Sequence, residues 1–132
     1  MREIHGHTNI QREGQVFICR PEGGFNIEGV KEYEIFFEQE VERIKDKPWA
    51  IVEILEEFGT GGPEVMKRIG AQFLWCSNNN CRCLAVVSRS SMTRYIIDTF
   101  FPIADMDIRI FEEKDTAIDW VSTILSKCEI TG

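Results

Sequence analysis

Residues 47–76 place a strand, a glycine-rich loop and a helix next to one another, and this arrangement limits the folds open to the chain. After a turn at residues 46–48, residues 49–55 (WAIVEIL) are apolar at almost every position. A strand that is apolar on both faces is typical of the centre of a mostly parallel sheet covered by helices. Pro63 suits the first turn of the next helix, because a missing N–H needs no partner there. We therefore expect an open α/β sheet, whose sites lie beyond the carboxyl ends of its strands.

The rest of the chain supplies further strands and helices in a regular alternation. Strands are predicted over residues 4–10, 16–19, 49–55, 81–88 and 107–111. Helices are predicted from an N-cap at Asn26 to Ile44, from Pro63 to Cys76, from a cap at Ser90 or Ser91 to Phe100, and from residues 112–115 to about Leu125, with a frayed tail from Lys127. The order ββαβαβαβα predicts an α/β fold with a mixed, mostly parallel sheet and four helices packed on it. At 132 residues we expect one domain.

Helical spacing predicts which faces of two helices pack inward. In the helix that starts at Pro63, Gly70 interrupts an apolar stripe and indicates a close approach of two elements. The third helix is predicted to bury Met92, Tyr95, Ile96 and Thr99. The first strand is expected at a sheet edge, where it could pair with a second copy in a homodimer.

The net charge argues against two classes of partner. The chain has 22 acidic and 15 basic residues, for a net charge of −7. Nucleic acids and anionic membranes both attract basic surfaces, so neither is expected as a partner. The start, MREIHGH, lacks the apolar stretch of a signal peptide, and no apolar run approaches the ~18 residues of a membrane span. With five cysteines and no disulfide-framework spacing, we expect a cytoplasmic protein with reduced thiols.

Motifs for metal or catalytic chemistry are weak in this chain. His5 and His7 would share one face of a strand, but no third ligand has suitable spacing, which favours an exposed edge strand. Cys76, Cys81 and Cys83 depart from zinc-knuckle spacing and lack a nearby fourth ligand. Neither a phosphate-binding glycine motif nor a nucleophile elbow is present. We expect no metal, no cofactor and no enzyme activity.

Glu53 is the one charged residue within the predicted central strand. A carboxylate in such a position must be paired, hydrogen-bonded or protonated. Two interpretations stay open. The favoured one is a partnered or end-of-strand residue, and the other is a tuned acid or base in a functional site.

Several short strings resemble the SpoIIAA-like branch of the STAS superfamily, named for anti-sigma-factor antagonists and sulfate-transporter domains. They are residues 24–30 (GFNIEGV), 47–50 (KPWA), 108–111 (IRIF) and 117–120 (AIDW), in this order and spanning nearly the whole chain. The resemblance implies a single-domain STAS-like fold over residues 1–132. It also implies a non-enzymatic regulatory module that acts through a protein partner.

The same resemblance points to a partner surface. In anti-sigma-factor antagonists a phosphorylatable serine starts the helix after the central strand, and residues 57–63 occupy that place here. The candidate residues are Phe58, Gly59, Thr60, Gly61 and Gly62. Thr60 carries the only hydroxyl among them, and a phosphate on it would lie near a helix N-terminus, which favours negative charge. Thr60 can equally be a capping or turn residue.

Domains of this branch also resemble the lipid-binding CRAL-TRIO fold, which implies an alternative function. In that case the domain carries a small apolar, lipid-like ligand between helices and sheet, in an enclosed pocket of ~300 Å³ or more. The candidate lining residues are Phe36, Phe58, Met66, Phe73, Trp75, Met92 and Phe100. The same side chains would serve equally well in an ordinary core.

Overall fold

A computed structural model describes residues 7–23, 26–55, 62–102 and 105–131 of the chain. The elements are β1 (His7–Glu13), β2 (Val16–Glu22), α1 (Ile27–Glu42), β3 (Trp49–Ile54), α2 (Gly62–Ser77), β4 (Cys81–Val87), α3 (Thr93–Phe100), β5 (Asp107–Phe111) and α4 (Lys114–Thr131). This succession confirms the predicted order ββαβαβαβα.

The five strands form one mixed sheet in the order β1-β2-β3-β4-β5. β1 is antiparallel to β2, and the other three pairs are parallel. β1 and β2 meet through a two-residue turn whose first residue, Gly14, has φ +59°. Glycine at this position suits a tight hairpin, because its φ is positive. β1 therefore extends to Glu13, beyond its predicted end, and lies at a sheet edge as predicted; pairing of two copies along it stays a prediction.

The helices divide unequally between the two faces of the sheet. From β2 to β5 each strand lies beside the one before it, and right-handed crossovers then place every connecting helix on the same face. α1, α2 and α3 accordingly pack together with Phe17, Trp49 and Ile51. α4 follows the last strand and covers the opposite face, where Ala117 and Val121 contact Val52 and its neighbours. β3 is thus covered on both sides, as its apolar sequence predicts.

Specific contacts fix α1 and the start of β3 in this arrangement. The Asn26 side chain caps α1 by accepting a hydrogen bond of 2.9 Å from the Gly29 backbone N–H, as its sequence position predicts. The Trp49 indole is fully buried and donates to the Asn79 carbonyl oxygen at 2.7 Å. This bond satisfies the indole N–H, which would otherwise be costly to bury.

One bidentate ion pair holds α1 against α2. The Arg68 guanidinium donates two hydrogen bonds of 2.9 Å to the two carboxylate oxygens of Glu34. The fork geometry of such a pair restricts the relative positions of the two side chains more than a single contact would. The two helices are therefore joined at their outer edge as well as through the core.

The predicted inner face of α3 is wrong except at Ile96. Met92 and Tyr95 are 52% and 60% exposed, and Thr99 also faces solvent. The buried residues of the helix are instead Thr93, Ile96 and Ile97. Thr93 is tolerated inside because its hydroxyl forms a 2.7 Å hydrogen bond with the hydroxyl of buried Ser88.

The predicted fraying of the tail from Lys127 is also wrong. α4 continues without interruption to Thr131, and Cys128 is still half-buried. α4 therefore stays helical beyond Lys127, and it packs against the rest of the fold at least as far as Cys128.

Gly70 confirms the close approach that its position in α2 predicts. A Cβ at this residue would overlap the backbone carbonyl oxygen of Phe100 and approach the Phe101 ring to 3.1 Å. The end of α3 lies directly against the middle of α2 because position 70 has no side chain.

In the described part of the chain, no helix is long and apolar enough to cross a membrane.

Candidate ligand cavity and partner surface

A cavity of about 130 Å³ lies between the sheet and the three helices that cover one of its faces. It sits toward the carboxyl ends of β3 and β4, where open α/β sheets place their binding sites. Its walls are mostly apolar, and its main apolar lining residues are Val30, Met66, Ile69, Phe73, Ile96 and Phe101. A few polar side chains also reach it, which is the usual composition of a small-molecule site.

Glu53 brings a carboxyl group to this cavity. It occupies the next-to-last position of β3, between Cys19 on β2 and Val86 on β4. Burial raises its pKa from 4.5 to about 8, because the ionised form loses its hydration. None of the described residues donates a hydrogen bond to it. The carboxyl is therefore mostly protonated at pH 7. Glu53 lies near the end of its strand, as the favoured interpretation allows, but none of the described residues partners its carboxyl.

The described ionisable groups that interact with Glu53 do not supply a positive charge. Tyr33 of α1 contacts Cys19 of β2, with 3.9 Å between the hydroxyl oxygen and Sγ. Burial raises the pKa of the Cys19 thiol and of the Tyr33 hydroxyl well above their ordinary values. Burial does the same for the Cys76 thiol of α2. All three groups are neutral at pH 7, so these described neighbours of Glu53 carry no full charge.

Gln72 is the second polar residue of interest and was not anticipated from the sequence. It lies on α2, is 6% exposed and lines the cavity. Its Nε2 is the only buried side-chain nitrogen or oxygen in the described residues that lacks a hydrogen-bond partner. A signal was present, because Gln72 follows Val65 by seven residues and Ile69 by three. That spacing places it on the buried stripe of α2.

The structure places the predicted ligand-lining residues in three kinds of environment. Met66 and Phe73 line the cavity. Trp75 and Phe100 are half-buried and pack against the core, but they do not line the cavity. Phe36 and Met92 are 51% and 52% exposed and do not reach it.

The predicted partner surface falls almost entirely outside the described residues. Phe58 lies there, as do Gly59, Thr60 and Gly61. Gly62 is described and is the first residue of α2, with φ +85°. A positive φ favours glycine over other residues at this position. The α2 N-terminus follows β3 directly in the chain, on the same side of the sheet as the cavity.

Metal ligation finds no support in the residues that are described. These residues contain no group of three or more His, Cys, Asp or Glu side chains that could hold an ion. Cys76 and Cys81 are buried on the α1–α3 side of the sheet, whereas Cys83 is buried on the α4 side. The side chain of His7 and all of His5 lie outside the described part of the structure.

A second, more polar groove of about 480 Å³ lies where β3, β4 and the start of α4 meet. Arg20, Arg89 and Lys114 line it together with Glu112 and Glu113. Its charges compensate one another in part, since Arg89 and Glu113 form an ion pair. The groove therefore shows no preference for a ligand of one charge.

Comparison with known proteins places the chain in a family. The SpoIIAA-like family model matches residues 16–122, and no curated protein matches. An uncharacterized protein of the DUF3478 family with a SpoIIAA-like fold, from Shewanella loihica PV-4, has a TM-score of 0.69 at 12% identity. That match covers 92% of this chain and 97% of that one. An anti-sigma factor antagonist from Mycobacterium paratuberculosis has a TM-score of 0.56 at 16% identity, with 89% and 94% covered. The predicted family and fold are thereby confirmed.

Proposed function

We propose that this chain, which belongs to the SpoIIAA-like family, is a non-enzymatic regulatory module that binds a partner protein. The proposed contact surface is residues 58–62 together with the first turn of α2. The observation that carries the proposal is the position of α2, which begins just beyond the carboxyl end of the central strand β3. The anti-sigma factor antagonist with the same fold supports a protein partner.

Exposed apolar side chains on α1 and α2 favour a protein partner in general, although Leu74 lies about three turns from the first turn of α2. Ile35 and Phe36 on α1 are 63% and 51% exposed, and Leu74 on α2 is 51% exposed. Large apolar residues at protein surfaces are common singly, but neighbouring ones favour an interaction face. α1 and α2 are adjacent and joined by the Arg68–Glu34 ion pair, so these residues lie on neighbouring helices.

Two substitutions in the proposed surface test this function. Thr60→Glu adds a negative charge next to Glu56 and Glu57, and Phe58→Ala removes the largest apolar side chain of the loop. Each should reduce capture of the partner by at least about tenfold, since a few central residues carry most of the binding energy of an interface. Affinity capture from the native cells, quantified by mass spectrometry, measures the effect, and the melting temperature should stay within about 2 °C, as for surface changes in general.

Ser122→Glu provides the matched control for added charge. Ser122 is exposed on α4, which covers the opposite face of the sheet. Its substitution by glutamate should therefore leave capture unchanged. Capture that is the same for the wild type, Thr60→Glu and Phe58→Ala would contradict the proposed surface.

A second candidate function, binding of a small apolar ligand, is favoured by the cavity. Its volume of about 130 Å³ falls short of the ~300 Å³ expected for a drug-sized or larger ligand. The cavity is therefore smaller than the pocket expected for the lipid-like ligand that the resemblance implied, and that ligand stays a prediction. A cavity of roughly 150 Å³ with apolar walls accommodates a single benzene molecule. The ligand of this second candidate function is therefore a molecule about the size of one ring.

A further inference from the structure

We propose that the cavity between the sheet and α1–α3 binds a compact, uncharged, ring-sized molecule that carries one hydroxyl group, held between Gln72 and Glu53. The inference rests on the second candidate function, ligand binding. It goes further by naming the chemical class of the ligand and the two residues that recognise its polar group.

The unpartnered amide nitrogen of Gln72 calls for an occupant with a hydrogen-bond acceptor. Buried polar groups are nearly always hydrogen-bonded, and a buried exception destabilises a protein that keeps it. Gln72 Nε2 is buried without a hydrogen-bond partner, and Gln72 is one of the residues that line the cavity. Thr93 also lines the cavity, but its hydroxyl is already bonded to Ser88. An oxygen atom inside the cavity would satisfy the Gln72 donor.

Glu53 supplies the matching acceptor. Its carboxyl lines the same cavity and has no donor among the described residues. A hydroxyl both donates and accepts hydrogen bonds. The protonated Glu53 carboxyl keeps a carbonyl oxygen that can accept. A ligand hydroxyl can therefore accept from Gln72 Nε2 and donate to that oxygen.

The electrostatic surroundings favour an uncharged ligand. Burial raises the pKa of Glu53 above 7, and the described ionisable groups that interact with it are the thiols of Cys19 and Cys76 and the hydroxyl of Tyr33. Burial keeps these neutral as well. A charged ligand would lose its hydration without gaining an opposite charge, which is strongly unfavourable. The apolar walls fit the remaining ring of the ligand.

Phenol and benzene form a matched pair of probes, because they differ only in the hydroxyl group. Binding of each to the full chain is measured by titration, following amide chemical shifts in ¹H–¹⁵N NMR spectra. We expect both to shift amides around the cavity and phenol to bind about tenfold or more tightly, the usual effect of one or two added hydrogen bonds. Benzoate, the charged analogue, should bind more weakly than phenol.

Substitution of Gln72 assigns the preference to this residue. Gln72→Leu removes the amide donor and replaces it with a branched apolar side chain. It should abolish most of the preference for phenol over benzene while benzene still binds, which shows that the cavity remains folded. Gln39→Leu, at an exposed position of α1, is the matched control and should keep the wild-type preference.

Each alternative outcome has a defined meaning. If benzene binds the wild type as tightly as phenol, the hydroxyl recognition is wrong although ligand binding stands. If the preference for phenol survives in Gln72→Leu, the assignment to Gln72 is overturned. If neither probe binds the wild type, this inference and the second candidate function both fail, while the partner-binding function is untouched.

Discussion

Glu53 lies on the central strand and lines the cavity. Its carboxyl also makes the stability of the fold depend on pH, because its pKa is raised. The sequence marks Glu53 as exceptional, since it interrupts an apolar strand. Whether a partner reaches it depends on side chains from β2, α1 and α2, which sequence periodicity does not place relative to one another. Among the described residues, neutral groups rather than a cation interact with it. Its environment is therefore a product of tertiary packing.

Replacing Glu53 by glutamine should change how stability depends on pH. The folded pKa of about 8 lies above the unfolded value of 4.5. The contribution of this group to stability is thus fully present below pH 4.5 and is lost as the pH rises toward 8, by up to about 1.4 kcal/mol per pH unit. Glu53→Gln cannot ionise, so its stability relative to the wild type should rise steadily from pH 5 to pH 8.

Urea unfolding at pH 5, 6.5 and 8 measures this difference. Glu32→Gln, at an exposed position of α1, is the control and should follow the wild type throughout. If the stability difference between Glu53→Gln and the wild type is the same at all three pH values, the carboxyl is not held protonated in the fold.

The positions of the helices and strands were predicted more accurately than the faces that they bury. Strong apolar runs identify β3 and β4, and the N-cap at Asn26 identifies the start of α1, because these signals are local. α3 has only eight residues, a little over two turns, so its apolar positions do not define one face. Its true inner face depends on Thr93, whose burial requires a hydroxyl partner on the preceding loop. No local pattern carries that information.

Gly70→Ala tests whether α2 and α3 are packed as closely as described. Helix propensity alone predicts that alanine stabilises α2 by ~1 kcal/mol. The contact with the Phe100 carbonyl oxygen predicts the opposite, because the added methyl must displace backbone rather than a mobile side chain. We expect a loss of about 1–3 kcal/mol, as for other overpacked positions.

Thermal or urea unfolding of the variant gives the answer directly. Lys67→Ala, at an exposed position of the same helix, is the control and should be close to neutral. A Gly70→Ala protein as stable as the wild type, or more stable, would mean that the two helices are further apart.

For the whole molecule, the family and fold could be predicted because their signals extend along the entire chain. The alternation of strands and helices, together with residues 24–30 and 117–120, identifies the SpoIIAA-like architecture. The candidate site could be predicted only in part. Met66 and Phe73 line the cavity, whereas Phe36 and Met92 are exposed, since apolar residues look alike in sequence whether they face a core, a ligand or solvent.

The partner-binding function is the central claim, and native mass spectrometry of the protein isolated gently from its own cells tests it most directly. The account predicts that the wild-type chain is recovered in a complex with a second protein, and that this complex is lost when Phe58→Ala is isolated in the same way. The claim would be contradicted if the wild type and Phe58→Ala are both recovered without a second protein. It would also be contradicted if both are recovered in the same complex to the same extent.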